Sequence, residues 1–200
     1  MTELARGDAV MTPTCDAPAF RELREKIDQH TAVIGIVGLG YVGLPLARAV
    51  HKAGYPVLGY DVDQRKIDHL ERGENYMKHL GPDLARTLAA SDRFTATSDP
   101  TRLAEADVIL LCVPTPLGEH REPDLSFVLD STRLCANVLR KGQLVVLEST
   151  TYPGTTRGEM LPILAEPGME RGLECGRDYF VAYSPEREDP GRAGMTTSDI

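Results

Sequence analysis

The sequence lacks the long apolar runs and the excess of basic residues that mark membrane and nucleic-acid-binding proteins. Its longest apolar run, Val108–Pro114, is far too short to cross a bilayer, and Met1–Cys15 lacks the apolar core of a signal peptide. Acidic residues outnumber basic ones by 30 to 22, so the net charge is −8 at pH 7. This balance argues against nucleic acid and anionic membranes as partners. We therefore expect a cytoplasmic protein with neither kind of partner.

Clustered metal ligands are missing as well. The four cysteines lie far apart without a CxxC pair, and the five histidines are scattered. This spacing predicts neither a zinc site nor a disulfide framework. Reduced thiols are in keeping with a cytoplasmic location, and we expect no metal.

What the sequence does contain is a regular alternation of strand-like and helix-like segments. A flexible tail is predicted at 1–16 and a short helix at 17–30. Apolar runs then predict strands at 32–37, 56–61, 94–99, 107–114, 143–150 and 179–184. Helices are predicted at 41–54, 64–73, 81–92, 125–141 and 155–166. Asp124 is expected to cap one helix, and Asp99 another that begins at Pro100. The alternation predicts an α/β, Rossmann-like doubly wound parallel sheet over 31–192, with a short N-terminal helical extension.

The stretch GLGYVG has the pattern GxGxxG, directly after a predicted strand and at the start of a predicted helix. In that context the first glycine allows a tight turn, the second lets the backbone approach a pyrophosphate, and the third lets the helix pack closely on the strand. The helix N-terminus adds free N–H groups and the positive end of its dipole. The motif predicts a dinucleotide site at Gly38, Leu39, Gly40, Tyr41, Val42 and Gly43.

A carboxylate at the expected distance supports this interpretation. Asp61 ends the second predicted strand, 18 residues after Gly43, close to the spacing at which an acidic residue accepts from the adenosine ribose hydroxyls. Such a carboxylate repels a 2′-phosphate, so NAD is favoured over NADP. Lys66, one helical turn further, is expected either to neutralise Asp61 or to lie against the adenine. The alternative is a tight turn with Asp61 as a surface cap.

The opposite wall of such a site is expected in the loops that follow two later strands, because the carboxyl ends of parallel strands meet at one edge of the sheet. The loop CVPTP carries Val113, Pro114 and Thr115, and the loop ESTTYPG carries Ser149, Thr150 and Thr151. Their hydroxyls are candidates for cofactor contacts. Ordinary turn chemistry would explain the same residues.

Five motifs in order resemble the UDP-glucose/GDP-mannose dehydrogenase family. They are GIVGLGYVGLPLA, GYDVD, LLCVPTPLGEHREPDLSFV, LESTTYPGTT and YSPEREDPG, and they run from about residue 31 to 192. The last two are most similar to the UDP-N-acetylglucosamine 6-dehydrogenase branch.

The resemblance implies an activity and roles for individual residues. The family oxidises the C6 alcohol of a nucleotide sugar to a carboxylate with two NAD⁺, through a thioester on a cysteine, for polysaccharide or lipopolysaccharide precursors. By position, the Gly38–Gly43 motif, Asp61 and Lys66 would bind the adenosine and pyrophosphate, and the two later loops would flank the nicotinamide. Thr151 would position a catalytic water, with Thr150 as the competing choice. Glu186 would be the general base that hydrolyses the thioester.

The family's nucleophilic cysteine, in a GGHC motif, and its active-site lysine have no match in the sequence. Cys112 and Cys135 are expected to be inert core thiols, and Cys15 and Cys175 have no evident base. We therefore expect residues 193–200 to begin an inter-domain linker, with the central and C-terminal UDP-sugar domains absent. The chain would bind NAD without turnover, as a monomer or weak dimer, whereas the full-length enzyme would be a homodimer. UDP-glucose 6-dehydrogenase, β-hydroxyacid dehydrogenase and a non-catalytic NAD-sensing module remain alternatives.

Overall fold

Six short parallel strands form the sheet of the computed structural model, which describes residues 17–77, 80–81, 83–118 and 122–185. The strands are β1 (Ile34–Val37), β2 (Val57–Tyr60), β3 (Phe94–Thr97), β4 (Val108–Leu111), β5 (Leu144–Leu147) and β6 (Phe180–Tyr183). They lie in the order β3-β2-β1-β4-β5-β6, and every neighbouring pair is parallel. The predicted doubly wound α/β fold is confirmed.

The strand order reverses at β1, which lies between β2 and β4. Val37 pairs in register with Tyr60 on one side and with Leu111 on the other. The carboxyl ends of these strands are therefore level, and the loops that leave them diverge to opposite faces. This divergence opens the crevice in which ligands of such sheets bind.

Helices cover both faces of the sheet. They are α1 (Pro18–Asp28), α2 (Gly43–Lys52), α3 (Gln64–Glu71), α4 (Asp83–Ala89), α5 (Ser126–Val138) and α6 (Leu161–Glu170), with a 3₁₀ helix at Pro100–Glu105. Alternate strand residues enter two separate cores: Ile36 packs with Leu44 on one face, and Val37 packs with Val128 on the other. Burial on both faces is why the strands read as continuous apolar runs.

The N-terminal helix α1 docks on the sheet through its apolar side. Leu23 is buried, and the ring of Phe20 meets the ring of Phe180 in β6 edge-on, with centroids 5.6 Å apart. The carbonyl of Ile27 accepts a hydrogen bond of 3.0 Å from the Tyr55 hydroxyl. The predicted extension is thus attached to the domain, while the predicted tail at 1–16 lies outside the described residues.

Two of the differences between predicted and observed helix boundaries, at α5 and before α6, have a local cause. The N-cap residue of α5 is Leu125 and not Asp124 as predicted, although the side chain of Asp124 does accept from the Ser126 N–H. At its other end α5 stops at Val138, because Leu139 adopts an extended conformation. Before α6 the chain forms a π-helical turn, Thr156–Met160. Pro162 lies in the first turn of α6 and has no N–H for the usual α-helical bond to Gly158, which accounts for the wider turn.

Candidate functional site

The glycine bend after β1 is shaped by close backbone packing. Gly38 has φ +93°, and a Cβ on it would lie 2.7 Å from the carbonyl oxygen of Cys112. A Cβ on Gly43, the first residue of α2, would lie 1.8 Å from the carbonyl oxygen of Gly38. These two positions therefore exclude any side chain, as the first and third glycines of the motif require.

The middle glycine faces open space. A Cβ on Gly40 would meet no atom of the described residues within 4 Å, so nothing in that part of the chain requires glycine there. Glycine at that position leaves room for a ligand to approach the backbone, and α2 begins three residues later. This is the cradle that a pyrophosphate needs at a helix N-terminus.

Asp61 holds the bend in place from the end of β2. Its buried carboxylate accepts from the Leu39 N–H at 2.8 Å and from the Asp63 N–H at 2.9 Å. Lys66 donates to it at 2.6 Å, so of the two roles predicted for Lys66 the structure shows neutralisation of Asp61. A carboxylate has about four acceptor sites, which leaves capacity for a hydroxyl of a ligand.

Leu39 contributes differently from its motif neighbours. Its side chain is fully buried, with Cδ2 at 3.0 Å from where a Cβ on Gly59 would be, and its N–H is taken by Asp61. Its carbonyl accepts from the Tyr76 hydroxyl at 2.7 Å. Burial, with the charges of Asp61 and Asp63, raises the pKa of Tyr76, so this hydroxyl remains a donor. Leu39 therefore fixes the bend and offers neither its side chain nor its N–H to a ligand.

The loops after β4 and β5 meet at the same edge. The buried Ser149 hydroxyl lies 3.2 Å from the Leu111 carbonyl oxygen and 2.7 Å from that of Val113, and donates to both. Ser149 thus ties the two loops together. Thr150 is exposed, and Thr115 and Thr151 are half-buried. Glu186, predicted as a catalytic base, lies outside the described residues.

These elements enclose a cleft of about 580 Å³, large enough for much of a dinucleotide. Eight predicted residues line it: Gly38, Gly40, Tyr41, Val42, Asp61, Lys66, Val113 and Pro114. Gly43, Leu39, Thr115 and the Ser149–Thr151 segment are not part of this lining. The cleft thus covers the half of the crevice near β1, β2 and β4.

Sequence reasoning missed one whole wall of the cleft. Four side chains of α5 line it, together with Val37, Tyr60, Val62 and Cys112; they are Phe127, Asp130, Ser131 and Leu134. Their i, i+3, i+4, i+7 spacing places them on one face of the helix. The signal was present in the sequence, but apolar periodicity there indicates equally well a helix face packed on the sheet.

Two of the three described cysteines, Cys112 and Cys135, are buried. Cys112, Cys135 and Cys175 form no disulfide among the described residues. Burial raises the pKa of Cys135 to about 12 and also raises that of Cys175. Thiols with raised pKa values are poor nucleophiles at neutral pH. Within the described ranges no group of three or more His, Cys, Asp or Glu side chains could hold a metal ion, and no helix there is long and apolar enough to span a bilayer.

Known proteins are similar to this chain in both sequence and architecture. The chain is 39% identical over 167 residues to UDP-N-acetyl-D-glucosamine 6-dehydrogenase of Pseudomonas aeruginosa, covering 84% of this chain and 38% of the relative. It is 39% identical over 165 residues to UDP-N-acetyl-D-mannosamine dehydrogenase of Escherichia coli K12, covering 80% of this chain and 39% of the relative. The chain therefore spans less than two fifths of either relative.

Solved structures and a family model indicate the same group of proteins as these relatives. NDP-N-acetyl-D-galactosaminuronic acid dehydrogenase from Methanosarcina mazei superposes with a TM-score of 0.73 at 34% identity, covering 85% of this chain and 38% of that one. GDP-mannose dehydrogenase from Pseudomonas aeruginosa, solved as a ternary complex, gives 0.72 at 29% identity, covering 78% and 36%. The model of the UDP-glucose/GDP-mannose dehydrogenase family, NAD binding domain, matches residues 32–199. The chain belongs to this family and carries its NAD-binding domain.

Proposed function

We propose that NAD lies across the carboxyl edge of the sheet, with its pyrophosphate over the Gly38–Gly43 bend and its adenosine ribose at Asp61. The observation that carries this placement is the open space at Gly40, between two glycines whose packing excludes any side chain. The N-terminus of α2 supplies N–H groups and a positive dipole end toward the phosphates. The free acceptor capacity of Asp61 suits a ribose hydroxyl, and its charge disfavours the 2′-phosphate of NADP.

The nicotinamide end would lie beside the loops after β4 and β5. When bound, NAD⁺ accepts a hydride at its nicotinamide ring. Val113, Pro114 and Thr115 would form one side of this subsite, and Ser149, Thr150 and Thr151 the other. The bifurcated bond of Ser149 to the Leu111 and Val113 carbonyls would fix the distance between the two sides.

Two further roles follow from the position of residues in the family motifs. Thr151 is half-buried, and its hydroxyl has no hydrogen-bond partner among the described residues, so it is free to orient a water molecule. Thr150 is the competing candidate for that role. Glu186 would take the proton of that water as general base in thioester hydrolysis.

We propose UDP-N-acetylglucosamine as the substrate of the whole protein, oxidised at C6 to the uronic acid with two NAD⁺, for polysaccharide or lipopolysaccharide precursors. The LESTTYPGTT and SPEREDPG motifs support an N-acetyl sugar. UDP-N-acetylmannosamine is a second candidate, because the relatives named for the two sugars are equally similar to this chain.

For the 200-residue chain by itself we propose NAD binding without turnover, as a monomer or weak dimer, with 31–192 as the cofactor domain and 193–200 as the start of a linker. Because the pKa values of Cys135 and Cys175 are raised, neither thiol would replace the family's cysteine nucleophile. In the whole protein, expected to be a homodimer, that nucleophile would lie in a further domain.

Calorimetry and absorbance test these proposals separately. Titration of the chain with NAD⁺ should give a saturable binding isotherm, and NADP⁺ should bind at least tenfold more weakly. No NADH should accumulate at 340 nm when UDP-N-acetylglucosamine is added. The whole protein should produce NADH with a UDP-N-acetylhexosamine and not with UDP-glucose or small hydroxy acids. Folded chain that gives no heat with NAD⁺ would contradict the placement of the cofactor.

A further inference from the structure

A second cavity, of about 490 Å³, lies at the C-terminal end of α2. It is lined by Arg48 and Lys52 of α2, by Leu84 and Leu88 of α4, and by Arg93 in the turn before β3. We call it the α2–α4 cavity. It shares no lining residue with the cofactor cleft, and α2 separates it from the glycine bend by about 15 Å. Its volume is within the range of small-molecule sites.

Three cationic side chains from two elements converge on this cavity. Arg48 and Lys52 are four residues apart on α2, so they are neighbours on one face of the helix. Arg93 donates a hydrogen bond of 3.3 Å to the carbonyl of His51, which places its guanidinium at the end of the same helix. All three residues line the cavity. In a chain with a net charge of −8, the cavity is therefore a locally basic site.

The described part of the protein leaves most of this positive charge without a counterion. Neither Arg48, which is half-buried, nor Lys52 has a hydrogen bond or an ion pair with another described residue. The acidic residue of the lining is Asp83, and its carboxylate already pairs with Arg86 at 3.2 Å. A partly buried charge without a partner lowers stability, and it is retained where a ligand satisfies it. The cavity is thus complementary to an anion.

His51 contributes to the shape of the cavity and not to its charge. The side chain is buried, and its Nε2 lies 2.7 Å from the Ser91 hydroxyl, which holds the end of α2 against the turn that carries Arg93. Burial, followed by the charge of Arg93, lowers the pKa of His51, although the charge of Asp92 opposes this. The imidazole is therefore neutral at neutral pH, and the positive charge comes from the other three basic residues.

The contribution of α4 to the lining is mainly apolar. Leu84 and Leu88 are four residues apart, so they lie on one face of α4, and both are buried. The Thr87 hydroxyl also lines the cavity and is exposed, without a partner among the described residues. A ligand that fills this space would therefore combine an anionic group with an apolar body.

We propose that the α2–α4 cavity binds a nucleoside phosphate, with its phosphate groups at Arg48, Lys52 and Arg93 and its base against Leu84 and Leu88. The fork of a guanidinium matches two phosphate oxygens, and a lysine adds a point charge. Three cations suit a ligand with two or more negative charges. The apolar wall offers few polar groups that could distinguish one base from another. This site does not depend on the proposed placement of NAD, so either proposal can fail without the other.

Calorimetric titration with cytidine diphosphate tests the proposal, because neither NAD nor the proposed sugar nucleotide contains its base. The original chain should give a saturable isotherm. Arg48→Gln and Lys52→Gln should each weaken binding about tenfold, as expected for the loss of one charge-assisted hydrogen bond. Each should leave NAD⁺ affinity unchanged, because neither residue lines the cofactor cleft. The thermal unfolding midpoint of the free chain should not fall, because neither side chain has a partner to lose.

Matched controls remove the same charges from other parts of the surface. Arg21, on α1, and Lys141, before β5, are exposed and do not line the cavity. Arg21→Gln and Lys141→Gln should therefore bind cytidine diphosphate as the original chain does, which separates a local contact from an effect of net charge. Gly40→Ala should also bind it normally, because Gly40 lines the cofactor cleft and not this cavity.

Simpler ligands separate the two parts of the recognition. Inorganic phosphate should bind more weakly than cytidine diphosphate, because it lacks the apolar body, and cytidine should give no saturable heat, because it lacks the charge. The proposal is wrong if the original chain does not bind cytidine diphosphate, or if inorganic phosphate binds as tightly. It is also wrong if Arg48→Gln and Lys52→Gln bind as the original chain does, or if Gly40→Ala weakens binding as much as they do.

Discussion

The two edges of the sheet differ in how far the protein itself satisfies their polar groups. At the amino edge Asp107 accepts from Lys26 at 2.8 Å, from Arg140 at 3.0 Å and from the Val33 N–H at 3.1 Å. The buried Gln143 beside it is bonded through both ends of its amide. At the carboxyl edge the hydroxyls of several residues have no partner among the described residues: Tyr60, Ser131, Thr150 and Thr151.

This contrast predicts that the polar groups of the amino edge contribute mainly to stability and that the carboxyl-edge hydroxyls without partners contribute mainly to ligand binding. A buried polar group that is fully hydrogen-bonded contributes to the fold, whereas one without a partner lowers stability and is retained where a ligand satisfies it. Substitutions at the amino edge should therefore change the unfolding free energy and leave NAD⁺ affinity unchanged. Substitutions of those carboxyl-edge hydroxyls that lack a partner should do the reverse.

The largest effect is expected in the glycine bend, where neighbouring residues contribute to both the stability of the fold and the binding of NAD⁺. Gly43→Ala places a Cβ 1.8 Å from the Gly38 carbonyl oxygen, so the backbone must shift; the unfolding free energy should fall by about 3 kcal/mol or more. Gly40→Ala meets nothing within 4 Å and should change stability by about 0.5 kcal/mol or less, yet weaken NAD⁺ binding at least tenfold. Urea titration and calorimetry measure the two quantities. Equal losses of stability in both variants would contradict the assigned roles.

Asp107→Ala should have the next largest effect, a loss of about 2–3 kcal/mol of unfolding free energy, because it leaves Lys26, Arg140 and the Val33 N–H without their shared acceptor. NAD⁺ affinity should not change. Asp83→Ala is a suitable control, because Asp83 pairs with Arg86 at 3.2 Å on the exposed surface and should contribute about 1 kcal/mol or less. A weakened affinity for NAD⁺ in Asp107→Ala would show that the two edges are coupled.

The pH dependence of the unfolding free energy should reveal the contribution of the Asp107 carboxylate. Burial alone would raise the pKa of Asp107, but its hydrogen bonds from Lys26, Val33 and Arg140 outweigh burial and hold the pKa below its ordinary value. A lowered native pKa stabilises the protein above the unfolded-state pKa, about 3.9, and this contribution is lost as the pH falls through the native value. The difference in unfolding free energy between the original chain and Asp107→Asn should therefore shrink below about pH 4. A difference that grows on acidification would contradict the lowered pKa.

The smallest effects are expected for two serines at the carboxyl edge, Ser149 and Ser131, whose alanine variants should behave differently. Ser149→Ala removes a hydroxyl bonded to two carbonyls, so it should cost about 1 kcal/mol of stability and weaken binding of NAD⁺ but not of ADP-ribose. Ser131→Ala should cost no stability and weaken both ligands equally. Identical behaviour of the two variants would show that Ser149 does not act on the nicotinamide side.

Local pattern was enough to predict the sheet, the glycine bend and Asp61. Each depends on residues close in sequence: β-branched runs, the spacing within GLGYVG, and a carboxylate at the end of the next strand. The cleft wall formed by α5 was not predicted, because it depends on how α5 and the end of β2 come to line the same cleft, and their residues lie about 70 positions apart in the sequence. Leu39 was assigned to the ligand by its place in the motif, whereas the core takes its side chain and Asp61 takes its N–H.

Helix α1 lies before residue 32, where the match to the family model begins. A shorter protein made by trimming to that boundary would lose Lys26 from Asp107 and uncover the ring of Phe180. Its β6 would then present an apolar surface to other molecules, which favours association between copies. Expression of this domain for calorimetry or crystallisation should therefore begin no later than Ala17.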